Sequence, residues 1–195
     1  YIYFAALIKD LQHFGYTLDE IKTISDHFRS FFQIRDSEEE MDPGEIEQTA
    51  LKIPATGNKI RVIDIIPNQI VTEELITMAR TEDGEIVPDL ENDILKIVVI
   101  ERHTATGRIG KGFVRGIGLK EGAIGSTVAH DSHNIVIVGT NDEDIYKAFD
   151  HLRKIKGGLV AVNKGKVRED LPLPIAGLIS DQPYEKVISN IESLR

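Results

Sequence analysis

Four runs of β-branched residues constrain the fold of this chain more than any other feature. They are Lys59-Ile60-Arg61-Val62-Ile63-Asp64-Ile65-Ile66, Asp93-Ile94-Leu95-Lys96-Ile97-Val98-Val99-Ile100, Ile135-Val136-Ile137-Val138 and Leu159-Val160-Ala161-Val162. Valine and isoleucine lose side-chain freedom in a helix and pack well on a pleated surface, so each run predicts a strand. Pro67 ends the first, and the second is long enough to be a buried strand. Between the last two, Thr140-Asn141-Asp142-Glu143-Asp144 offers a cap residue and carboxylates suited to the positive end of a helix dipole. Ile145, Ala148, Phe149 and Leu152 give that helix an apolar face, and Gly157-Gly158 ends it. This is a strand, helix, strand unit of parallel-crossover size. Asn163-Lys164-Gly165-Lys166 reads as a tight turn and residues 183–194 as a closing helix. The expected fold is an α/β (α+β) sandwich, a mixed sheet with a βαβ unit.

Upstream the period is helical. Ile2, Ala5, Ala6, Ile8 and Leu11 recur at helical spacing, Gly15 supplies a stop, and Thr17-Leu18-Asp19-Glu20 has capping-box form. Leu18, Ile21, Ile24, Phe28, Phe31 and Phe32 continue a 3.6-residue face. These features predict a helical hairpin over residues 1–34. The acidic, turn-rich stretch Asp36-Ser37-Glu38-Glu39-Glu40 with Asp42-Pro43-Gly44 follows it, which sets the expected domains at 1–45 and 46–195.

Composition removes several function classes. The 32 acidic against 23 basic side chains give a formal net charge of -9, which disfavours a phosphate-tracking surface, so nucleic acid is not the expected partner. With no cysteine, disulfides, thiolate zinc sites and thiol nucleophiles are excluded, in keeping with a reducing cytoplasm. The apolar stretch over residues 1–8 is too short to span a membrane and has no basic flank, so no membrane association is expected.

Chemistry concentrates in His130-Asp131-Ser132-His133-Asn134, at a strand-to-strand junction where a rigid scaffold presents loop side chains. Two imidazoles and a carboxylate could ligate a metal, although the spacing is not the helical i, i+4 pattern of a strong zinc site. A carboxylate could equally set the proton affinity of a neighbouring histidine for acid–base work. The bland alternative is a turn closed by Asp131 and Ser132, with the histidines bonded to backbone carbonyls. Glu101-Arg102-His103 forms a second polar knot, which is an ion pair with a solvated imidazole unless the sheet brings it beside His130 and His133. The glycine-rich segment from Gly107 to Gly125 does not feed a helix, so it does not match a phosphate-binding loop and reads instead as strands joined by turns.

Several motifs in order carry a family resemblance. Gly110-Lys111-Gly112-Phe113-Val114-Arg115-Gly116, then Gly122-Ala123-Ile124-Gly125-Ser126-Thr127-Val128-Ala129-His130-Asp131-Ser132-His133-Asn134, then Val138-Gly139-Thr140-Asn141-Asp142-Glu143-Asp144, and finally Leu171-Pro172-Leu173-Pro174-Ile175-Ala176-Gly177-Leu178-Ile179-Ser180 together resemble the C-terminal domain of bacterial and archaeal adenine deaminases. The resemblance covers about residues 50–195, and Gly125 departs from it where alanine is expected. It implies a place in the amidohydrolase superfamily and hydrolysis of adenine to hypoxanthine and ammonia. It also implies manganese or iron, held by a (β/α) barrel whose ligands lie outside this chain. A complete barrel of that kind takes about 250 residues. By the same resemblance His130, Asp131 and His133 are the expected catalytic residues and Ser132 and Asn134 expected substrate contacts; Glu101, Arg102 and His103, outside the matching motifs, are expected substrate contacts if the sheet brings them beside the histidines. The implied partners are adenine, a separate barrel and further copies of the chain in a homo-oligomer. The alternatives are a stand-alone, non-catalytic binding or oligomerisation module whose hairpin replaces the barrel, and a small independent metallohydrolase built on the histidines.

Overall fold

The computed structural model describes Pro43, residues 46–130 and residues 132–194, which belong to one compact unit, Met41–Arg195. The hairpin expected over residues 1–34 lies outside the described residues, as does Asp131. Ten strands and two helices follow a short 3-10 turn at Gln48–Leu51. The strands are β1 (Lys59–Ile65), β2 (Thr72–Met78), β3 (Thr81–Glu82), β4 (Glu85–Ile86), β5 (Ile94–Ile100), β6 (Ile109–Arg115), β7 (Ala123–Ser126), β8 (Ile135–Gly139), β9 (Gly158–Asn163) and β10 (Lys166–Pro172). The helices are α1 (Asp142–Lys154) and α2 (Tyr184–Ser193). Eight strands form one mixed sheet in the order β10-β9-β7-β8-β5-β6-β1-β2, and β3 pairs with β4 in a separate hairpin.

All four β-branched runs are strands, and the fold is the α+β sandwich that the pattern predicts. The crossover β8–α1–β9 is split. β7 is antiparallel to both β8 and β9, so those two strands run parallel with β7 between them. β7 comes from the glycine-rich segment, as does β6, which pairs with β5 from Ile94↔Arg115 to Ile100↔Ile109. The sequence pattern does not single out β2, because Thr72–Met78 is an edge strand with mostly exposed residues and little apolar alternation.

Helix α1 begins where the carboxylates predict. Asn141 caps it by accepting from the Asp144 amide at 2.8 Å, and the buried Asp144 carboxylate accepts from the Gly165 amide at 2.7 Å. That second bond fastens the β9–β10 turn, where Lys164 and Gly165 both have left-handed backbone, to the start of the helix. Ile145, Ala148, Phe149 and Leu152 then pack on Ile135, Ile137, Val160 and Val162, with Val98 and Ile100 in the same core. Each large side chain removed from water in this way contributes roughly 1.5–3 kcal/mol. Glycine in the strands sets how closely the helix lies. A Cβ at Gly139 would sit 2.5 Å from Ile145 Cγ1, and one at Gly125 would sit 2.9 Å from Leu152 Cδ1. Leu152 therefore fills the volume that alanine would need at 125.

The same face of the sheet carries two buried or bonded lysines. Lys96 Nζ donates to Asp142 Oδ1 at 2.5 Å and to the Leu51 carbonyl at 3.2 Å, and its side chain is almost fully buried. Lys111 Nζ donates to the Ala50 and Lys52 carbonyls at 2.8 and 2.7 Å. Together they hold the C-terminal end of the 3-10 turn against the sheet, cations placed where a helical segment's carbonyls are unpaired. Farther along this face, Val62, Ile86, Ile94 and Phe113 form a second cluster under the β3–β4 hairpin. No helix among the described residues is long and apolar enough to cross a membrane.

Replacing Lys96 with alanine would strip a half-buried carboxylate and a backbone carbonyl of their donor and leave a void where the lysine stem packs. Losses of this kind cost about 1–3 kcal/mol, so Lys96→Ala is expected to shift the urea midpoint downward with the m-value unchanged.

Candidate functional site

Sheet register brings the two polar knots together. Ile100 at the end of β5 is paired with Ile135 at the start of β8, so residues 101–103 leave the sheet beside residues 130–134 arriving at it. A third segment, residues 173–179, reaches the same corner.

Arg102 is the centre of this arrangement. Its side chain is buried, with only 3% of the residue exposed, and its Nε donates to the His133 carbonyl while Nη2 donates to the Ala176 carbonyl at 2.8 Å. Both acceptor residues have left-handed backbone, His133 at φ 49° and Ala176 at φ 55°. Such conformations cost free energy for residues other than glycine and persist when surrounding contacts over-determine them. Here the guanidinium supplies those contacts by binding the carbonyls that the two turns direct toward it. Gly177 completes the fit, since a Cβ there would lie 2.8 Å from Arg102 Nη1. Burial lowers the Arg102 pKa to about 10, which leaves the group charged at neutral pH.

Thr127 makes a parallel tie. Fully buried, it donates its hydroxyl to the Gly177 carbonyl at 2.5 Å and accepts from the Gly158 amide at 2.8 Å. The loop after β7, the start of β9 and the 173–179 segment are thus joined through one hydroxyl.

The Glu101 carboxylate is consumed by its own turn rather than by an ion pair. It accepts from the His103 amide (2.5 Å), the Thr104 amide (2.8 Å), and the Thr106 amide and hydroxyl (3.3 and 2.8 Å). Burial pushes this carboxyl up, but the donors from Thr106, His103 and Thr104 outweigh it and hold the group at about 2. The turn so fixed carries His103, whose Nε2 lies 2.8 Å from the Ser132 carbonyl. A carbonyl can only accept, so His103 Nε2 is the donor in this contact.

The loop itself closes through the His133 amide, which donates to the Ala129 carbonyl at 2.6 Å. Its two imidazoles lie together, with ring centroids of His130 and His133 5.6 Å apart and tilted by 59°. His130 and Ser132 are exposed, whereas His133 and Asn134 are half-buried. The Asn134 Oδ1 is buried with no hydrogen-bond partner. The corner therefore presents three imidazoles, a hydroxyl and a carboxamide on a braced backbone. Among the described residues, no three histidine, aspartate or glutamate side chains converge as a metal-ligand set.

Of the residues singled out in the sequence, Glu101, Arg102, His103, His130, Ser132, His133 and Asn134 meet at this corner, and Asp131 lies outside the described residues. Thr127, Ala176 and Gly177 were missed as contributors. Thr127 follows Ser126 in the sequence and nothing local marks it as the buried hydroxyl of the two, and the carbonyls of residues 176 and 177 act through backbone and leave no side-chain signal.

Arg102→Lys keeps the charge but loses the planar fork that spans two carbonyls, and is expected to cost about 2–3 kcal/mol and to speed amide exchange at residues 130–134. Hydrogen exchange read by mass spectrometry checks this. For Glu101 the folded-state pKa lies below its ordinary 4.5, so its stabilisation is present above that value and is lost as pH falls toward about 2. The wild-type chain should lose stability over that window more steeply than Glu101→Gln, as read from urea midpoints at each pH.

Comparisons with known proteins place this corner in context. Residues 69–195 match the model of the adenine deaminase C-terminal domain. An adenine deaminase of Dehalococcoides mccartyi is 49% identical over 152 residues, covering 78% of this chain and 26% of that protein. One from Bacillus licheniformis is 51% identical over 152 residues, covering 77% and 26% respectively. Adenine deaminase 2 of Carboxydothermus hydrogenoformans is 51% identical over 150 residues, again covering 77% and 26%. The chain spans about a quarter of the length of these curated relatives. By its family match and by the order of its motifs, the chain belongs to the adenine deaminase family, of which it represents the C-terminal domain.

Proposed function

We propose that this chain is the C-terminal part of a metal-dependent adenine deaminase and that its braced corner is a contributed half-site for hydrolysis of adenine to hypoxanthine and ammonia. The observation that carries the reading is the Arg102 clamp. A buried cation holding two left-handed turns is a costly way to fix an exposed loop, and rigid fixation of a histidine-bearing loop is what acid–base chemistry and substrate orientation require.

In this reading manganese or iron would be held by residues of the barrel and would supply an activated water when bound. Water adds to the ring carbon bearing the exocyclic amine, the carbon–nitrogen bond breaks, and a proton must reach the departing nitrogen. His130, Asp131 and His133 are suited to hold or move that proton. Ser132, Asn134 and His103 are the polar side chains of the corner suited to contact the purine edge. Glu101 and Arg102 act as positioning residues, since their charged groups already serve the turns they brace.

The test is His133→Ala in the intact polypeptide. Turnover of adenine is expected to fall by about 10²-fold or more, with metal content unchanged because the ligands lie elsewhere. Unchanged turnover together with unchanged adenine affinity would sink the assignment.

A further inference from the structure

Two consecutive carbonyls of one turn are taken by two different side chains. The Ile175 amide donates to the Ile179 carbonyl at 3.1 Å and the Ile179 amide to the Ile175 carbonyl at 3.1 Å, which closes the turn. Within it Ala176 (φ 55°) and Gly177 (φ 67°) both have left-handed backbone. The Ala176 carbonyl accepts from Arg102 Nη2, and the Gly177 carbonyl accepts from the Thr127 hydroxyl. Followed in either direction, these bonds return to the same loop. Arg102 Nε donates to the His133 carbonyl, the His133 amide donates to the Ala129 carbonyl, and Ala129 is two residues from Thr127. The path from Thr127 through Gly177, Arg102, His133 and Ala129 back to Thr127 is therefore a closed circuit.

Thr127 is also where the circuit is joined to the sheet. Its amide donates to the Gly158 carbonyl at 3.0 Å and its hydroxyl accepts from the Gly158 amide at 2.8 Å, so the first residue of β9 holds both its backbone and its side chain. The adjacent Gly157 accepts from the Leu173 amide at 2.9 Å and donates to the Leu152 carbonyl in the last turn of α1 at 2.8 Å. Only a hydroxyl can fill this place at the size available, because one atom must donate to a carbonyl and accept from an amide. The hydroxyl of the neighbouring Ser126 accepts instead from the Val128 amide at 2.9 Å, within its own turn.

We infer that Thr127 is a positioning residue for the histidine loop: its hydroxyl closes the circuit that fixes the backbone from which His130 and His133 project. The effect passes through backbone bonds, and its consequence for turnover rests on the deaminase reading. In a closed path each bond limits the freedom the others must fix, so the links act as a unit and not as separate ties. Proton transfer depends on placement more steeply than binding does, which makes such a unit worth building under a histidine loop.

The unsubstituted chain supplies the first test. Amide exchange read by NMR along a urea series is expected to give the His133 and Gly158 amides one opening free energy and one denaturant dependence; two unlike openings would overturn the inference. Thr127→Val removes the hydroxyl with the volume kept, and is expected to speed exchange of the His133 amide about tenfold or more, whereas Thr127→Ser stays within about threefold of the unsubstituted chain. A serine variant as fast as the valine one would assign the effect to the methyl group and sink the idea. Arg102→Lys opens the same circuit elsewhere, so the double variant should exchange no more than about threefold faster than the faster single. An acceleration equal to the product of the two would mean independent ties, again against the inference. Should Thr127→Val fail to fold, Arg102→Lys carries the test alone: it must speed the Gly158 amide, on the far side of the circuit, along with the His133 amide. In the intact polypeptide Thr127→Val is expected to lower kcat for adenine about tenfold or more, by a larger factor than KM rises, and Thr127→Ser to restore it. Faster exchange with kcat unchanged would overturn the positioning role. Absence of turnover in the unsubstituted polypeptide counts instead against the deaminase reading, and the exchange measurements then decide whether Thr127 positions the loop.

Discussion

A single guanidinium organises the working end of this domain. Arg102 leaves an apolar strand and is buried, yet it meets two carbonyls that come from residues with left-handed backbone. Neither turn is a favourable conformation for its residue, and a cation between them replaces the water their carbonyls would otherwise need. The loop bearing the histidines and the segment bearing Gly177 are consequently parts of one bonded assembly. Thr127 repeats the strategy with a neutral hydroxyl a few residues away.

Lys96 and Lys111 apply the same principle at the other side of the molecule. They emerge from adjacent strands and bind the carbonyls of residues 50–52, so the chain entering the domain is fastened to the sheet by cations rather than by apolar packing alone. Where the lysine is buried, a partner carboxylate at the helix start meets its charge. Buried pairs of this type are costly to break and specify one arrangement more than they add net stability.

Much of the fold was legible in the sequence because it is written in periodicity. The β-branched runs, the carboxylates at Asp142, Glu143 and Asp144 and the Gly157-Gly158 stop each report a local preference that tertiary structure left intact. The split crossover was not legible, since nothing local tells whether Ala123–Ser126 pairs beside β8 alone or also accepts β9. Nor was β2, whose edge position removes the alternation by which strands announce themselves. For the candidate site, the residue types of the histidine loop stood out, and the register of β5 against β8 supplied the nearness of Arg102 that spacing could not. The backbone carbonyls that Arg102 binds carry no residue signature at all. Lys96 was visible as a lone charge inside an apolar run, although its partners, Leu51 and Asp142, are too distant in sequence to be inferred from it.

β7 is four residues long, yet it is the strand through which the β9–β10 hairpin joins the rest of the sheet. The next residue after it is Thr127, and the loop that follows carries the histidines. Fraying at β7 would therefore part the sheet into two halves and release the Thr127 tie in the same event. Local opening of the loop's N-terminal end and loss of the sheet's continuity become one transition, with one free energy. A histidine loop anchored in this way draws its rigidity from the cooperativity of the whole domain, and mutations that weaken α1 packing across Gly125 and Gly139 would be felt at the histidines without touching them.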